Sequence, residues 1–217
     1  MGLVYDTLGI FLAAAMALLT LAFGWTLRAW WGRDHVRAWI ASLALAAVGI
    51  GLFRIPAQAE TPGGLAMHAL RNGLLLLALG LQLWGWARAL GRPWSWVRAW
   101  IPALALVPPY LIGGTTYPRR VAIVSLAMAL VAYLHAALLR KRAPEAGPLV
   151  AYTQGLLLIH GTFVLLRGAM ALWDPSPGSL FRWTAYGFFE FFLAFTLLVF
   201  LEWLWVESQA EAGVLVP

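Results

Sequence analysis

The stretch GLAMHALRNGLLLLALGLQLWGWARAL, residues 64–90, decides the fold. As a helix it would be about 40 Å long at 1.5 Å per residue, enough to cross the roughly 30 Å hydrocarbon core of a bilayer, and it carries no charge between Arg71 and Arg88. Thr61-Pro62-Gly63-Gly64 before it and Gly91-Arg92-Pro93 after it are turn signals. The same pattern repeats along the chain. With Pro56, Pro108-Pro109 and Pro175-Ser176-Pro177-Gly178 as further breaks, it predicts helices over Thr7–Trp31, Arg37–Ile55, Gly64–Leu90, Val97–Ile112, Arg120–Arg140, Leu149–Trp173 and Ser179–Val206. The expected fold is an all-α integral membrane protein with seven transmembrane helices in one domain, residues 1–206, followed by a short tail, 207–217.

Composition agrees. Of 217 residues, 62% are hydrophobic and 11% charged, far below the roughly 25% charged of a soluble domain; the mean hydropathy is +0.79. No soluble core could hide so much apolar surface. The absence of cysteine excludes disulfides, thiolate nucleophiles and cysteine-held metals. The net charge of +6 is read as loop topology, with no nucleic-acid partner expected. Asp6 and the long first apolar run argue against a cleavable signal, so the first helix is expected to stay.

Arginine and lysine counts predict orientation. Arg28, Arg33, Arg37, Arg88, Arg92, Arg98, Arg140, Lys141 and Arg142, nine of the fifteen cations, follow helices one, three and five, and these connections belong inside. The N-terminus is then outside and the C-terminus cytoplasmic, in a cell inner membrane. Trp30, Trp31, Trp39, Trp84, Trp86, Trp94, Trp96, Trp100, Trp203 and Trp205 gather at the same level as an interfacial belt. Ala15-Met16-Ala17-Leu18 matches Ala127-Met128-Ala129-Leu130. Leu52-Phe53-Arg54 matches Leu165-Leu166-Arg167, and Pro62-Gly63-Gly64-Leu65 matches Pro177-Gly178-Ser179-Leu180, all at nearly one offset. A 3+1+3 parallel internal repeat follows, with helix four as the linker.

An ionisable side chain within a span is costly and is the best pointer to function. Arg71, Arg167 and Glu190 are expected at similar depth in the outer half, with Arg167–Glu190 as an ion pair. His68, Arg71 and Asn72 share a helical face, Thr153, His160 and Arg167 form a stripe, and Tyr186 stands one turn before Glu190. Arg54 and Arg120 would form the mouth of this seam. Two readings stand: an interhelical ion pair with the other arginines reaching to headgroups, or a pocket whose spare guanidinium forks take a carboxylate or phosphate. The histidines do not share a depth suited to haem, and no metal or cofactor is expected. Retinal chemistry is excluded because Lys141, the sole lysine, lies in a loop. Protease and hydrolase motifs are absent, and Ser42 and Ser125 read as packing residues, so no enzyme is expected.

The segment Phe53-Arg54 to Pro93, with Arg71-Asn72-Gly73, Leu74–Leu77 and Trp86-Ala87-Arg88-Ala89-Leu90-Gly91-Arg92-Pro93, resembles the multi-helix sensory module ahead of bacterial diguanylate cyclase (GGDEF) domains and some histidine kinases. Arg120 with Ser125 and Arg167 fit the same pattern, and the resemblance covers roughly residues 37–175. It implies a receptor for an external or membrane-dissolved cue, relayed through the last helix to a cytoplasmic signalling partner or a missing output domain. The ligand would be a lipid or a small anionic molecule, and a homodimer is compatible with this plan. A small-solute transporter of 3+1+3 type and an accessory membrane subunit packing through Gly49, Gly51, Gly73 and Gly80 are the alternatives.

Overall fold

The structure is a computed structural model that describes residues 2–53, 55, 61–113, 116–140 and 147–213. Among these residues every regular element is helical. The helices are α1 Gly2–Thr26, α2 Asp34–Leu52, α3 Pro62–Ala89, α4 Ile101–Gly113, α5 Tyr117–Arg140, α6 Pro148–Trp173 and α7 Pro177–Glu211, with 3-10 helices at Arg28–Trp30 and Trp96–Trp100. Five are long and apolar enough to cross a membrane: α2, α3, α5, α6 and Ala185–Glu211 of α7. The fold is that of an all-α multi-pass membrane protein.

The ends of α3 show how the sequence sets its elements. Thr61 caps the start, its Oγ1 accepting from the Gly64 amide at 3.0 Å, with Pro62 in the first turn where its missing N–H costs nothing. The helix ends because Gly91 adopts φ +74°, which lets Arg92 donate to the Ala87 carbonyl and Gly91 to that of Arg88, the Schellman arrangement. The segment expected as one helix from Val97 is instead a 3-10 turn followed by α4, which starts next to Pro102 and runs through Pro108-Pro109 rather than breaking there. These two prolines lie near its end, so only the amide bonds of the final turns are lost. Helix α7 extends to Glu211, beyond the expected Val206.

Packing places α1 beside α2, α2 beside α3, α3 beside α5, α5 beside α6, α6 beside α7 and α7 beside α1, while α4 lies against α3 and α5. The interior is filled by Leu12, Met16, Trp39, Leu43, Leu76, Leu79, Trp86, Tyr110 and Phe195, all with less than 2% exposure. Where the α1–α2 and α3–α4 connections lie, Asp34 accepts from Arg37 at 2.6 Å and from Arg88 at 2.9 Å, tying the first turn of α2 to the last turn of α3. All three side chains are at least a third exposed. Asp34→Asn is therefore expected to cost no more than about 1 kcal/mol, read as a small fall in the thermal unfolding midpoint that shrinks further in high salt.

Candidate functional site

At the opposite end of the bundle, where α2 leads toward α3 and α6 toward α7, polar side chains of α3, α4, α5, α6 and α7 form a seam. Arg71 stands about 14 Å into α3 at 1.5 Å per residue, and is 3% exposed. Its Nη2 donates to the Ile55 carbonyl at 3.0 Å, its guanidinium lies 5.0 Å from the Phe53 ring centroid, and its buried Nε has no hydrogen-bond partner. No carboxylate pairs with Arg71 among the described residues. One position on, the Asn72 amide donates to the His68 carbonyl at 2.8 Å and reaches the hydroxyl of the buried Tyr110 of α4 at 3.3 Å. Arg120 at the start of α5 is buried with its guanidinium 5.7 Å from the Tyr117 ring. Both Arg71 and Arg120 lie within electrostatic reach of Tyr110. Two guanidiniums, an amide and a phenol are thus gathered between α3, α4 and α5.

The second part of the seam lies between α5, α6 and α7. Here the expected Arg167–Glu190 pair is not formed. Arg167 Nε donates to Ser125 Oγ at 3.1 Å, while the His160 ring N–H donates to Glu190 Oε1 at 2.6 Å. The register explains the exchange. Glu190 lies about 20 Å into α7, the same depth as His160 in α6, whereas Arg167 sits two helical turns nearer the end. Gly187 is what admits Arg167: a Cβ there would lie 2.8 Å from Arg167 Cδ and 3.2 Å from Cζ. Arg167 remains within electrostatic reach of both Glu190 and Tyr117, so Tyr117 joins the two parts of the seam.

Of the residues expected in the site, the structure therefore brings Arg71, Asn72 and Arg120 together, and brings His160, Glu190 and Arg167 together beside them. His68 contributes its carbonyl. Tyr186 is 56% exposed. Arg54 lies outside the described residues. Ser125, expected only to pack, is the partner of Arg167, and Tyr110 was not singled out by sequence because a lone tyrosine in an apolar run gives no periodic signal.

A separate polar cluster near the other end was also not anticipated. Gln82 of α3 donates to Ser42 of α2 at 2.7 Å, and Ser42 donates to the Trp39 carbonyl at 2.7 Å. Glu202 of α7 is wholly buried, faced by Gln82 and Trp86, yet neither of its carboxyl oxygens closes a hydrogen bond. Trp86 belongs to a ring cluster with His35, Trp39 and Trp205 at centroid distances of 5.2–6.2 Å, edge to face except for the tilted Trp39–Trp86 pair. A signal existed, since Gln82 follows Arg71 by eleven residues, which returns to nearly the same face of α3. No group of three or more potential metal ligands occurs among the described residues. The chain matches no protein-family model, no curated protein and no solved structure.

Proposed function

We propose that this chain is a membrane receptor module of the sensory type, which binds a small anionic or amphipathic ligand in the outer half of a seven-span bundle and relays occupancy through α7 to a cytoplasmic partner. The carrying observation is Arg71, 3% exposed, with an unpartnered Nε and no carboxylate paired with it among the described residues. A guanidinium at that depth costs roughly 3 kcal/mol on insertion scales, and an anion held by Arg71, Asn72 and Arg120 offsets that cost. The distribution of Arg and Lys supports an outward N-terminus and a cytoplasmic C-terminus in an inner membrane. Exchanging α1 with α5, α2 with α6 and α3 with α7 preserves the neighbour relations among these six helices, though not those of α4, which lies against α3 and α5 alone; this supports the 3+1+3 repeat with α4 as the linker.

The relay reading is supported by α7. One helix bonds His160 through Glu190 in the outer half and buries Glu202 and Trp205 against α2 and α3 in the inner half. These two contacts lie about 18 Å apart and some 120° round the helix. A ligand that draws on Glu190 or Arg167 changes the first contact, and a shift of α7 changes the second, provided the ligand binds the two positions with different affinity.

The test is native mass spectrometry of gently extracted protein beside Arg71→Ala. The expected result is a defined anion on the wild type that is lost from the variant, and an identical pattern of bulk lipids on both would overturn the reading. The buried Ser42–Gln82–Glu202 cluster in the inner half favours a second reading, a carrier with polar groups on both sides of the midplane. Uptake of the recovered anion into proteoliposomes would select it.

A further inference from the structure

Arg167 and Glu190 pose a problem of charge. Opposite charges in a low-dielectric interior attract far more strongly than in water, and a direct contact between them is the expected arrangement. They lie within electrostatic reach of each other, yet each is bonded to a neutral or titratable neighbour instead: Arg167 through Nε alone to Ser125, Glu190 through Oε1 alone to His160. Glu190 Oε2 and His160 Nε2 are buried without a partner, and among the described residues the hydrogen bond of the Arg167 side chain is the one from Nε to Ser125. Arg167 is half-buried. Gly187 supplies the room on the α7 side, where any larger residue would displace the guanidinium.

A purely anionic ligand would satisfy Arg167 but would be repelled by Glu190. A cation would meet the reverse. A group carrying both charges a few ångströms apart satisfies both, with its carboxylate on the guanidinium fork and its ammonium on the free carboxylate oxygen. We infer that the α5–α6–α7 part of the seam is a subsite for a zwitterion of the amino-acid type, with Arg167 holding the carboxylate and Glu190 the ammonium. This inference rests on the receptor reading above and names the class of ligand that receptor takes. Ser125 and His160 act as positioning residues, the first fixing the guanidinium plane and the second directing one carboxylate oxygen so that the other stays open.

The experiment is equilibrium binding to the 217-residue chain in nanodiscs, using the common L-amino acids, each compared with the carboxylic acid of the same carbon skeleton lacking the amine. At least one amino acid is expected to bind, and its deaminated analogue to bind at least about tenfold more weakly, a difference of about 1.4 kcal/mol. Glu190→Gln, which keeps the shape and removes the charge, is expected to bring the pair to within about twofold while the protein remains monodisperse. Arg167→Gln is expected to lose both. Equal affinity of wild type for an amino acid and its analogue would overturn the zwitterion and leave an anion receptor standing. Failure of every amino acid, with a defined anion still co-purifying in an Arg71-dependent way, would do the same. Failure of every amino acid with no such anion would overturn both.

Discussion

Gly80→Ala is expected to lower the thermal unfolding midpoint more than any other single-methyl addition in the bundle. A Cβ at this position would fall 3.0 Å from the carbonyl carbon of Ala99 and 3.2 Å from its Cα, with the carbonyl oxygen closer still. All three are backbone atoms, so no side chain can rotate out of the way. Either α3 or the Trp96–Trp100 turn must move, and overpacking of this kind costs about 1–3 kcal/mol and sometimes more. The control is Gly73→Ala in the same helix, where a Cβ meets nothing within 4 Å. There the substitution removes glycine's conformational freedom and is expected to be neutral or to stabilise by up to about 1 kcal/mol. Equal midpoints for the two variants would contradict the seating of the 3-10 turn on α3. The effect should also reach the site, because α4 follows directly from that turn and carries Tyr110 to Asn72. Gly80→Ala is therefore expected to weaken ligand binding without touching a ligand.

Gly80 also shows what could be read without coordinates. The helices were legible, since charge-free runs bounded by Pro and Gly have few other solutions in lipid, and α3 was expected over 64–90 and lies at Pro62–Ala89. Arg71, Arg167 and Glu190 were expected at a common depth, with Arg120 at the mouth above them, from position along each helix alone. The partners did not follow. Depth is a one-dimensional coordinate, and it cannot separate Arg167 from His160 as the neighbour of Glu190, which depends on how far α6 and α7 are offset along their axes. Nor can it say which glycine faces a neighbour. Gly49 and Gly80 are taken up inside the bundle, Gly49 against Leu75 and the Arg71 carbonyl, while Gly73 faces open space. A glycine pattern read as an external packing face thus contains positions already spent within the chain. Glu202 escaped notice for a related reason: it lies near the end of an apolar helix, where an acid is ordinarily read as reaching for water.

That acid gives the other large expected effect. Glu202→Met should raise the unfolding midpoint, although it removes a polar residue from a cluster of them. Deep burial strips the carboxyl of water, and in return it receives the proximity of Gln82 and Trp86 but no closed hydrogen bond. Buried polar groups in that condition are net costs, and replacing buried charged groups by an apolar side chain of similar volume commonly stabilises by about 1–4 kcal/mol. Methionine has the length to take the place of the glutamate side chain beside Trp86 and favourable sulfur–aromatic contacts to make there. Glu202→Ala separates volume from polarity, since it removes the same carboxyl but leaves a cavity beside Trp86, and it should destabilise where methionine stabilises. A fall in midpoint for both would show that the carboxyl earns its place through bonds to Gln82 and Trp86. A rise for methionine alone would mean that α7 holds a destabilising group against α2 and α3. That is the behaviour expected of a helix that must be able to leave one position for another, because a contact optimised for stability would pin it. The relay then predicts a second result for the same variant: Glu202→Met should bind ligand at the outer seam as the wild type does, yet no longer transmit a ligand-dependent change in the spacing of α7 from α2, read by spin labels at Glu207 and Arg37.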